Sequence, residues 1–514
     1  MKKKKYINSV FLILLGVITS FSLAPFNFFI INFFTFSIFY FFLVKQLNKH
    51  KSLMLFFSYG WLFGFGYFFS NLYWISISLT FDPNFKFLIP FSVVLIPAFL
   101  AVFYGIISYL FALINLKRII SSFLIFSLIF GFLEFVRGSI FTGFPWNLII
   151  FSLSNQLEFL SIASIIGTYG LNLFCISLFT CPALIFLKNS RKNKGVFMAF
   201  IAVSFLFYMY GNAYEKRFNN AAEESFEYKV RAIGSNIGLD RYYKDIDTLS
   251  VMNDLLELSN PIEDEKTIFV WPEAILPNVF QDEMIQFKNL IGKNLNKNHL
   301  LMIGNKSKLS TDHSEKFFNS FSLYDNELNI IDSYNKINLV PFGEFLPFEN
   351  LLGKFGLSSL TNNYQSFSKG EKRNIIDLNQ EKFSLKILPL ICYEIIYSGN
   401  LFIKQNFDLM INISEDGWFG KSIGPKQHFA HSIFRAIENG KYIIRSSNNG
   451  MTAIINPIGI IEKKIDYGKD GYIDFNELRK IKPTLFSKYG NKIFGFIILL
   501  YIFLIFSFNR FKNE

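Results

Sequence analysis

Three side chains in this sequence have the right chemistry for covalent catalysis, and each stands just past an apolar, β-rich run. Glu273 follows residues 267–272, Lys336 follows 330–335 and Cys392 follows 384–391. In open α/β folds, sites gather at the carboxyl ends of strands, where loops bring residues distant in sequence together. A thiol with a pKa near ~8.5 is only slightly ionised at neutral pH. A neighbouring cation lowers that value, or a general base takes the proton as attack occurs. Glu273 has the chemistry of the base and Lys336 that of the cation. An ammonium also holds the oxyanion of a tetrahedral intermediate, a donor role worth roughly 2.7–4 kcal/mol. Taken singly, each has a plainer reading: a surface salt bridge for the charged pair, a buried small hydrophobe for the cysteine. The flanking Leu390-Ile391-Cys392-Tyr393-Glu394 favours reactivity, because a sharp turn at the strand end would expose the sulfur. Cys392 also has no cysteine partner outside the membrane, since Cys175 and Cys181 fall in a long apolar run.

The elements that must position these residues lie in the second half of the chain. From Asn212 charged residues are dispersed every few positions. Strand-like runs recur at 228–233, 267–271, 299–303, 319–324, 330–334, 384–390, 409–413, 442–445 and 452–456. Helical patterns at 243–259, 282–293 and 426–439 lie between them. The alternation predicts an α/β domain, and so many strands predict two sheets rather than one.

The first half is different. The chain has 514 residues, 67 of them Phe, 51% hydrophobic residues and a net charge of +12, with a mean hydropathy of +0.31. These values exclude a disordered or collagen-like chain and predict that much of it sits in lipid. Apolar runs at 6–24, 26–44, 53–77, 87–116, 119–135, 159–187, 195–211 and 493–508 are each long enough, or nearly so, to cross ~30 Å of hydrocarbon. The first follows Lys2 to Lys5 in the manner of a signal peptide, but no small-residue cleavage site stands out, so it reads as a retained span. Basic loops at Lys2 to Lys5, Lys45 to Lys51, Lys117–Arg118, Lys188 to Lys194 and Arg510–Lys512 alternate with loops poor in Lys and Arg. By the positive-inside rule the basic ones are cytoplasmic. The sequence thus divides into a seven-span domain over 1–211, an extracytoplasmic domain over 212–488, and a final span with a cytoplasmic tail over 489–514. Glu134 and Arg137, at the outer end of the fifth run, fit snorkelling to the interface or contact with a lipid headgroup. Trp74, Phe144 and Trp146 fit an interfacial aromatic belt. The aromatic-rich stretch 351–367 reads as a surface loop or as a gate dipping toward lipid. His428 and His431 are spaced as a helix-face pair with no further ligand for a metal, and no phosphate loop or dinucleotide fingerprint is present.

Trp271-Pro272-Glu273-Ala274, Tyr334-Asn335-Lys336 with Leu339-Val340-Pro341-Phe342-Gly343-Glu344, and Ile391-Cys392-Tyr393-Glu394 resemble the three catalytic blocks of the nitrilase superfamily. With Ala24-Pro25-Phe26, Thr142-Gly143-Phe144-Pro145-Trp146, Trp418-Phe419-Gly420 and Arg445-Ser446-Ser447-Asn448-Asn449-Gly450, the chain resembles the apolipoprotein N-acyltransferase family over nearly its whole length. Ser414-Glu415-Asp416-Gly417-Trp418 and Gly234-Ser235-Asn236 depart from the family's usual Asn-Asp-Ala-Trp and Gln-Gly-Asn. The resemblance implies an αββα sandwich of two sheets joined to about eight membrane spans, needing no metal or cofactor. It assigns Glu273 as base, Lys336 as oxyanion stabiliser and Cys392 as nucleophile. Glu344 then supports the triad, and Tyr393 and Glu394 are essential neighbours of the cysteine.

The reaction so implied is a two-step acyl transfer at the bacterial inner membrane, with the catalytic domain in the periplasm. A membrane phospholipid donates a fatty acyl group to the cysteine as a thioester. The amino group of the diacylglyceryl-cysteine that begins an apolipoprotein then accepts it. Nucleic acid is not an expected partner. Two other readings are an amidase or nitrilase tethered to the membrane, acting on a small C–N substrate, and a transporter or sensor with an outer ligand-binding domain.

Overall fold

The apolar runs form helices, in a computed structural model that describes residues 2–510 apart from 244–246, 312–313, 348–365, 381–382, 400 and 402–405. They are α1 (Lys2–Ser20), α2 (Ile30–Leu47), α3 (Leu53–Leu72), α4 (Ile89–Ile114), α5 (Ile119–Arg137), α6 (Ala163–Thr180), α7 (Arg191–Asn219) and, near the carboxyl end, α11 (Lys492–Arg510). Among the described residues seven helices are long and apolar enough to cross a membrane, and the apolar part of α1, Tyr6–Ser20, is shorter. Phenylalanine fills the bundle: Phe39 stacks on Phe63 at 4.2 Å, and Tyr104 meets Phe130 edge-on at 4.9 Å. The sixth run is not one helix. A turn at Leu157–Leu160 precedes α6, and α6 itself breaks at Gly167, with φ 69° and ψ 172°. A Cβ on Gly167 would lie 2.0 Å from the Phe486 ring, so only glycine permits both the break and the packing there.

The water-facing half forms two six-stranded sheets. The first runs β12-β1-β2-β3-β4-β5 and the second β11-β10-β9-β8-β7-β6. The first sheet contains β1 (Glu223–Gly234), β2 (Thr267–Val270), β3 (His299–Thr311), β4 (Ser314–Tyr324), β5 (Ile330–Asn335) and β12 (Gly471–Arg479). The second contains β6 (Ile376–Gln380), β7 (Phe383–Ile391), β8 (Leu409–Glu415), β9 (Tyr442–Asn448), β10 (Thr452–Ile455) and β11 (Ile461–Ile465). In each sheet the central trio is parallel, β1-β2-β3 and β7-β8-β9, and the outer strands are antiparallel. Parallel strands buried on both faces read as continuous apolar runs. All nine predicted strands are present. The three missed, β6, β11 and β12, are all edge strands. Ile461-Glu462-Lys463-Lys464-Ile465 is typical of an edge, charged and half-exposed, with only one ladder to satisfy.

Ala232, Val270, Met302 and Phe321 of one sheet meet Ile391, Ile411, Ile413 and Ile444 of the other. On the outer face of the first sheet, α8 (Thr248–Ser259) and α9 (Lys288–Asn294) cover Phe269, Trp271 and Leu301. On the outer face of the second, α10 (Gly424–Asn439) covers Leu390, Met410 and Ile443. The result is an αββα sandwich. The far side of α10 lies against the membrane helices, so nearly all of it is buried although its sequence is polar. Two predicted helices start or divide differently. The first begins at Thr248, where the Asp247 side chain caps it, and the segment 282–293 divides into a tight turn at Asp282–Phe287 and α9.

Candidate active site

The loop after β2 carries Glu273 and the end of β5 delivers Lys336, and both strands finish at the same end of the first sheet. The Lys336 Nζ lies 3.2 Å from Glu273 Oε1 and 2.9 Å from Glu344 Oε1. Asn319 of β4 joins both carboxylates, its amide donating to Glu273 at 2.8 Å and to Glu344 at 2.7 Å. The remaining oxygen of each is held by a backbone N–H, Glu415 at 3.0 Å for Glu273 and Val340 at 2.8 Å for Glu344. Every acceptor position facing the cluster therefore has a donor, as burial demands. Gly304 of β3 makes room for it: a Cβ there would lie 2.7 Å from Glu273 Cα. Burial opposes the charge on Lys336, but Glu273 and Glu344 outweigh it and hold the ammonium well above its usual range.

Cys392 ends β7 at a turn with φ 47°, a left-handed conformation that a side-chain-bearing residue rarely adopts. Ala274, next to Glu273, and Phe342, in the Glu344 loop, also have positive φ, so all three blocks hold backbone strain. The sharp turn at Cys392 is present, but the residue is only 9% exposed rather than open to water. Burial first, then the Glu273 charge, push the thiol well above its usual pKa. Lys336 and a hydrogen bond from Ser414 act in the opposite sense, and burial prevails. The balance keeps the proton on the thiol.

Tyr393 and Glu394 serve the turn itself. Glu394 is fully buried and accepts from Tyr334 Oη at 2.7 Å, Arg373 at 3.0 Å and the N–H groups of Ile337, Asn338 and Ile391. Against the effect of burial, Arg373 and these donors hold its carboxyl below the usual range. The Tyr393 hydroxyl donates to the Gly143 carbonyl of the membrane domain at 3.1 Å, and that of Tyr397 to Thr142 at 2.9 Å. Behind the cysteine, His428 Nε2 lies 3.3 Å from the Cys392 carbonyl and its Nδ1 2.9 Å from Asp416. Arg445 pairs with Asp416 at 2.7 Å, and although burial works the other way, Arg445 and His428 keep that carboxyl well below its usual range.

The membrane residues at this junction differ from their sequence-level readings. Trp74 and Trp146 are not a lipid-facing belt: both are buried, and both indole N–H groups donate to Gln427 of α10, at 3.3 and 2.9 Å. Trp146 lies nearly parallel to the His428 ring at 5.3 Å, and Phe144 stacks on Trp146. Nor do Glu134 and Arg137 snorkel or face headgroups. They are buried, pair at 2.9 Å, and Arg137 reaches the carbonyls of Phe144 and Asn147. A charge pair this deep needs such partners. Most of the aromatic stretch 351–367, up to Gln365, lies outside the described residues.

Comparison with known proteins bears on this arrangement. Residues 15–181 match the family described as apolipoprotein N-acyltransferase N-terminal domain, and 231–476 match carbon-nitrogen hydrolase. The apolipoprotein N-acyltransferase of Rhodopseudomonas palustris is 30% identical, covering 97% of this chain and 94% of the relative. That of Rickettsia prowazekii is 32% identical, covering 95% of each. The chain belongs to the apolipoprotein N-acyltransferase family. Its nitrilase-like domain and membrane helices are thus parts of one family architecture, in which the departures noted in the sequence have local roles. Ser414 bonds Asp416 at 2.7 Å beside the thiol. The Glu415 carboxylate is taken up by Arg241 and Asn448, leaving its N–H for Glu273. Ser235 bonds Asn448 at 2.7 Å. Sequence reasoning missed Asn319, the first residue of a predicted strand, and missed the role of His428. Neither has a spacing signal, because their partners come from other strands.

Proposed function

We propose that this protein is a phospholipid:apolipoprotein N-acyltransferase, with Glu273, Lys336 and Cys392 as its catalytic triad. The observation that carries the reading is the Glu273–Lys336–Glu344 cluster acting on the Cys392 thiol where the sandwich docks onto the membrane helices. In the first step Glu273 takes the thiol proton as sulfur attacks the ester carbonyl of a membrane phospholipid, and Lys336 faces the oxyanion. The ester C–O bond breaks, the lysophospholipid leaves with the proton from Glu273, and a thioester remains. In the second step the α-amino group of a diacylglyceryl-cysteine attacks the thioester. Its proton passes to Glu273 and the C–S bond breaks to restore the thiol.

Membrane docking suits such substrates. Acyl chains worth ~0.8 kcal/mol per buried CH₂ keep donor and acceptor in the bilayer, so a site at its surface meets both by lateral diffusion. Tyr393 and Tyr397 tie the nucleophile turn to the 142–143 loop, supporting that placement. With the positive-inside orientation, residues 1–211 and 489–514 span the inner membrane and 212–488 work in the periplasm.

Intact-mass measurement after incubation with phospholipid tests the reading. Cys392 should gain one acyl mass, and a diacylglyceryl lipopeptide should remove it with amide formation. Ammonia release from small amides without any acyl mass from phospholipid would replace the transferase with the amidase.

A further inference from the structure

A cavity of about 470 Å³ lies where the sandwich meets the bundle, in the size range of small-molecule sites. Lys426, Phe429, Ala430 and Ile433 line it, and their spacing puts them on one stripe of α10. Gln427 and His428, which reach the two tryptophans and the Cys392 carbonyl, belong to another face of that helix. Met451 and, on β11, Ile461 and Lys464 close the cavity from the second sheet, with Asp466 and Tyr467 just beyond. The membrane domain supplies the remaining wall: Pro25 and Asn27 between α1 and α2, and Ser154 with Asn155 ahead of α6. The Ser154 hydroxyl donates to Asn27 at 3.2 Å and joins those two loops.

The cavity is apolar in its depth and cationic at its rim. Phe429, Ala430 and Ile433 are buried, whereas Lys426 is the one exposed residue of α10 and Lys464 is exposed as well. Asp466 is the single acidic residue in the lining. The hydrogen bond from Lys464 first, then the charges of Lys464, Lys469 and Lys426, hold its carboxyl below the usual range. Three ammonium groups thus surround one carboxylate, and the rim has positive charge in excess. Beside the rim Phe21, Phe26 and Phe28 are exposed and grouped, the Phe26 ring lying 5.1 Å from Phe21 and 6.4 Å from Phe28. Exposed rings next to a basic rim, on the Lys-poor link between the first two spans, suit the edge of the hydrocarbon.

We propose that this cavity is a second lipid site, separate from Cys392, that takes the phosphate headgroup of an anionic glycerophospholipid from the outer leaflet. Lys426 and Lys464 meet the phosphate, and Asp466, already paired with Lys464, does not cancel them. The glycerol and the first part of an acyl chain lie over Phe429, Ile433 and Met451, and the rest of the chain continues past Phe26 and Phe28 into the bilayer. No bond is made or broken there. The bound lipid fills a gap between sandwich and bundle, and the site needs only the membrane placement of the chain, not the acyltransferase reading.

The test places full-length protein in phosphatidylcholine nanodiscs containing a diacyl phosphatidylglycerol with a diazirine on its headgroup, followed by irradiation and peptide mapping. In the wild type the label should fall on peptides covering 24–27, 426–433 and 461–467. The double variant Lys426→Gln/Lys464→Gln should lose about tenfold of that labelling, with labelling of the lipid-exposed α7 unchanged. Lys426→Arg/Lys464→Arg should keep it. A phosphatidylcholine probe of the same design should label these peptides several-fold less. Millimolar glycerol 3-phosphate should not displace the probe, and acyl-Cys392 formation in the Gln double variant should stay within about twofold of wild type. Equal labelling of wild type and the Gln variant, or by the two probes, overturns the headgroup site. Displacement by glycerol 3-phosphate overturns its assignment to lipid, and a loss of acylation as large as the loss of labelling overturns its separation from the active site.

Discussion

At Cys392 the surroundings set the charge of the thiol. Burial and the Glu273 charge keep its proton on, and Lys336 only partly offsets them. The thiol is therefore neutral at physiological pH, and its alkylation by a neutral reagent should quicken only as pH rises. Removing the negative charge in Glu273→Gln should move that midpoint down, and removing the positive charge in Lys336→Met should move it up. A pH series of alkylation rates checks both signs. Both variants should also fail to form the thioester. Cys392→Ala should abolish turnover while leaving the thermal unfolding midpoint close to that of wild type, and retained acyl transfer would refute the nucleophile assignment. Asn319→Ala removes the neutral side chain that, with Lys336, donates to both carboxylates. It should lower kcat by roughly 10²-fold through misplacement of Glu273, checked by single-turnover acylation.

The elements hold these side chains by close contacts that a small change disturbs. Gly304→Ala places a Cβ 2.7 Å from Glu273 Cα, where backbone must give way. Its acylation rate should drop on the order of 10²-fold with secondary structure retained by circular dichroism. The turn after β7 depends on Glu394 just as closely. Glu394→Ala leaves Arg373 buried without its carboxylate and should destabilise the protein by about 3–5 kcal/mol, measured by chemical or thermal denaturation. The central parallel strands were legible from their apolar runs because both of their faces are buried. The edge strands β6, β11 and β12 were not, because one exposed edge and a half-wet face leave charged residues in place.

For the whole molecule, the junction between sandwich and bundle is the decisive feature. Gln427 alone accepts from Trp74 and Trp146 and donates to Ala24 and Asn71, linking three membrane segments to α10. Glu438 accepts from the Thr168 N–H at 2.7 Å, a group freed by the helix break at Gly167, and from Ser398 beyond the nucleophile turn at 2.6 Å. Gln427→Leu should leave two buried indole N–H groups without an acceptor and lower stability by about 1–3 kcal/mol per group. A fall in the thermal midpoint of the detergent-solubilised protein, with the sandwich more open to protease, is the expected readout.

The membrane runs, the central strands and the three blocks around Glu273, Lys336 and Cys392 could be read without coordinates, because local composition and order along the chain carry them. The strand-end position of all three residues followed from the same patterns. Tertiary structure alone decided that the cysteine is enclosed, that Asn319 and Gly304 complete the cluster, and that Trp74, Trp146, Glu134 and Arg137 face protein rather than lipid. Those facts depend on which distant surfaces meet, and burial sets both the charge state of a thiol and the partners of an indole. An apolar or aromatic residue at a helix end has the same sequence signature whether lipid or another domain covers it.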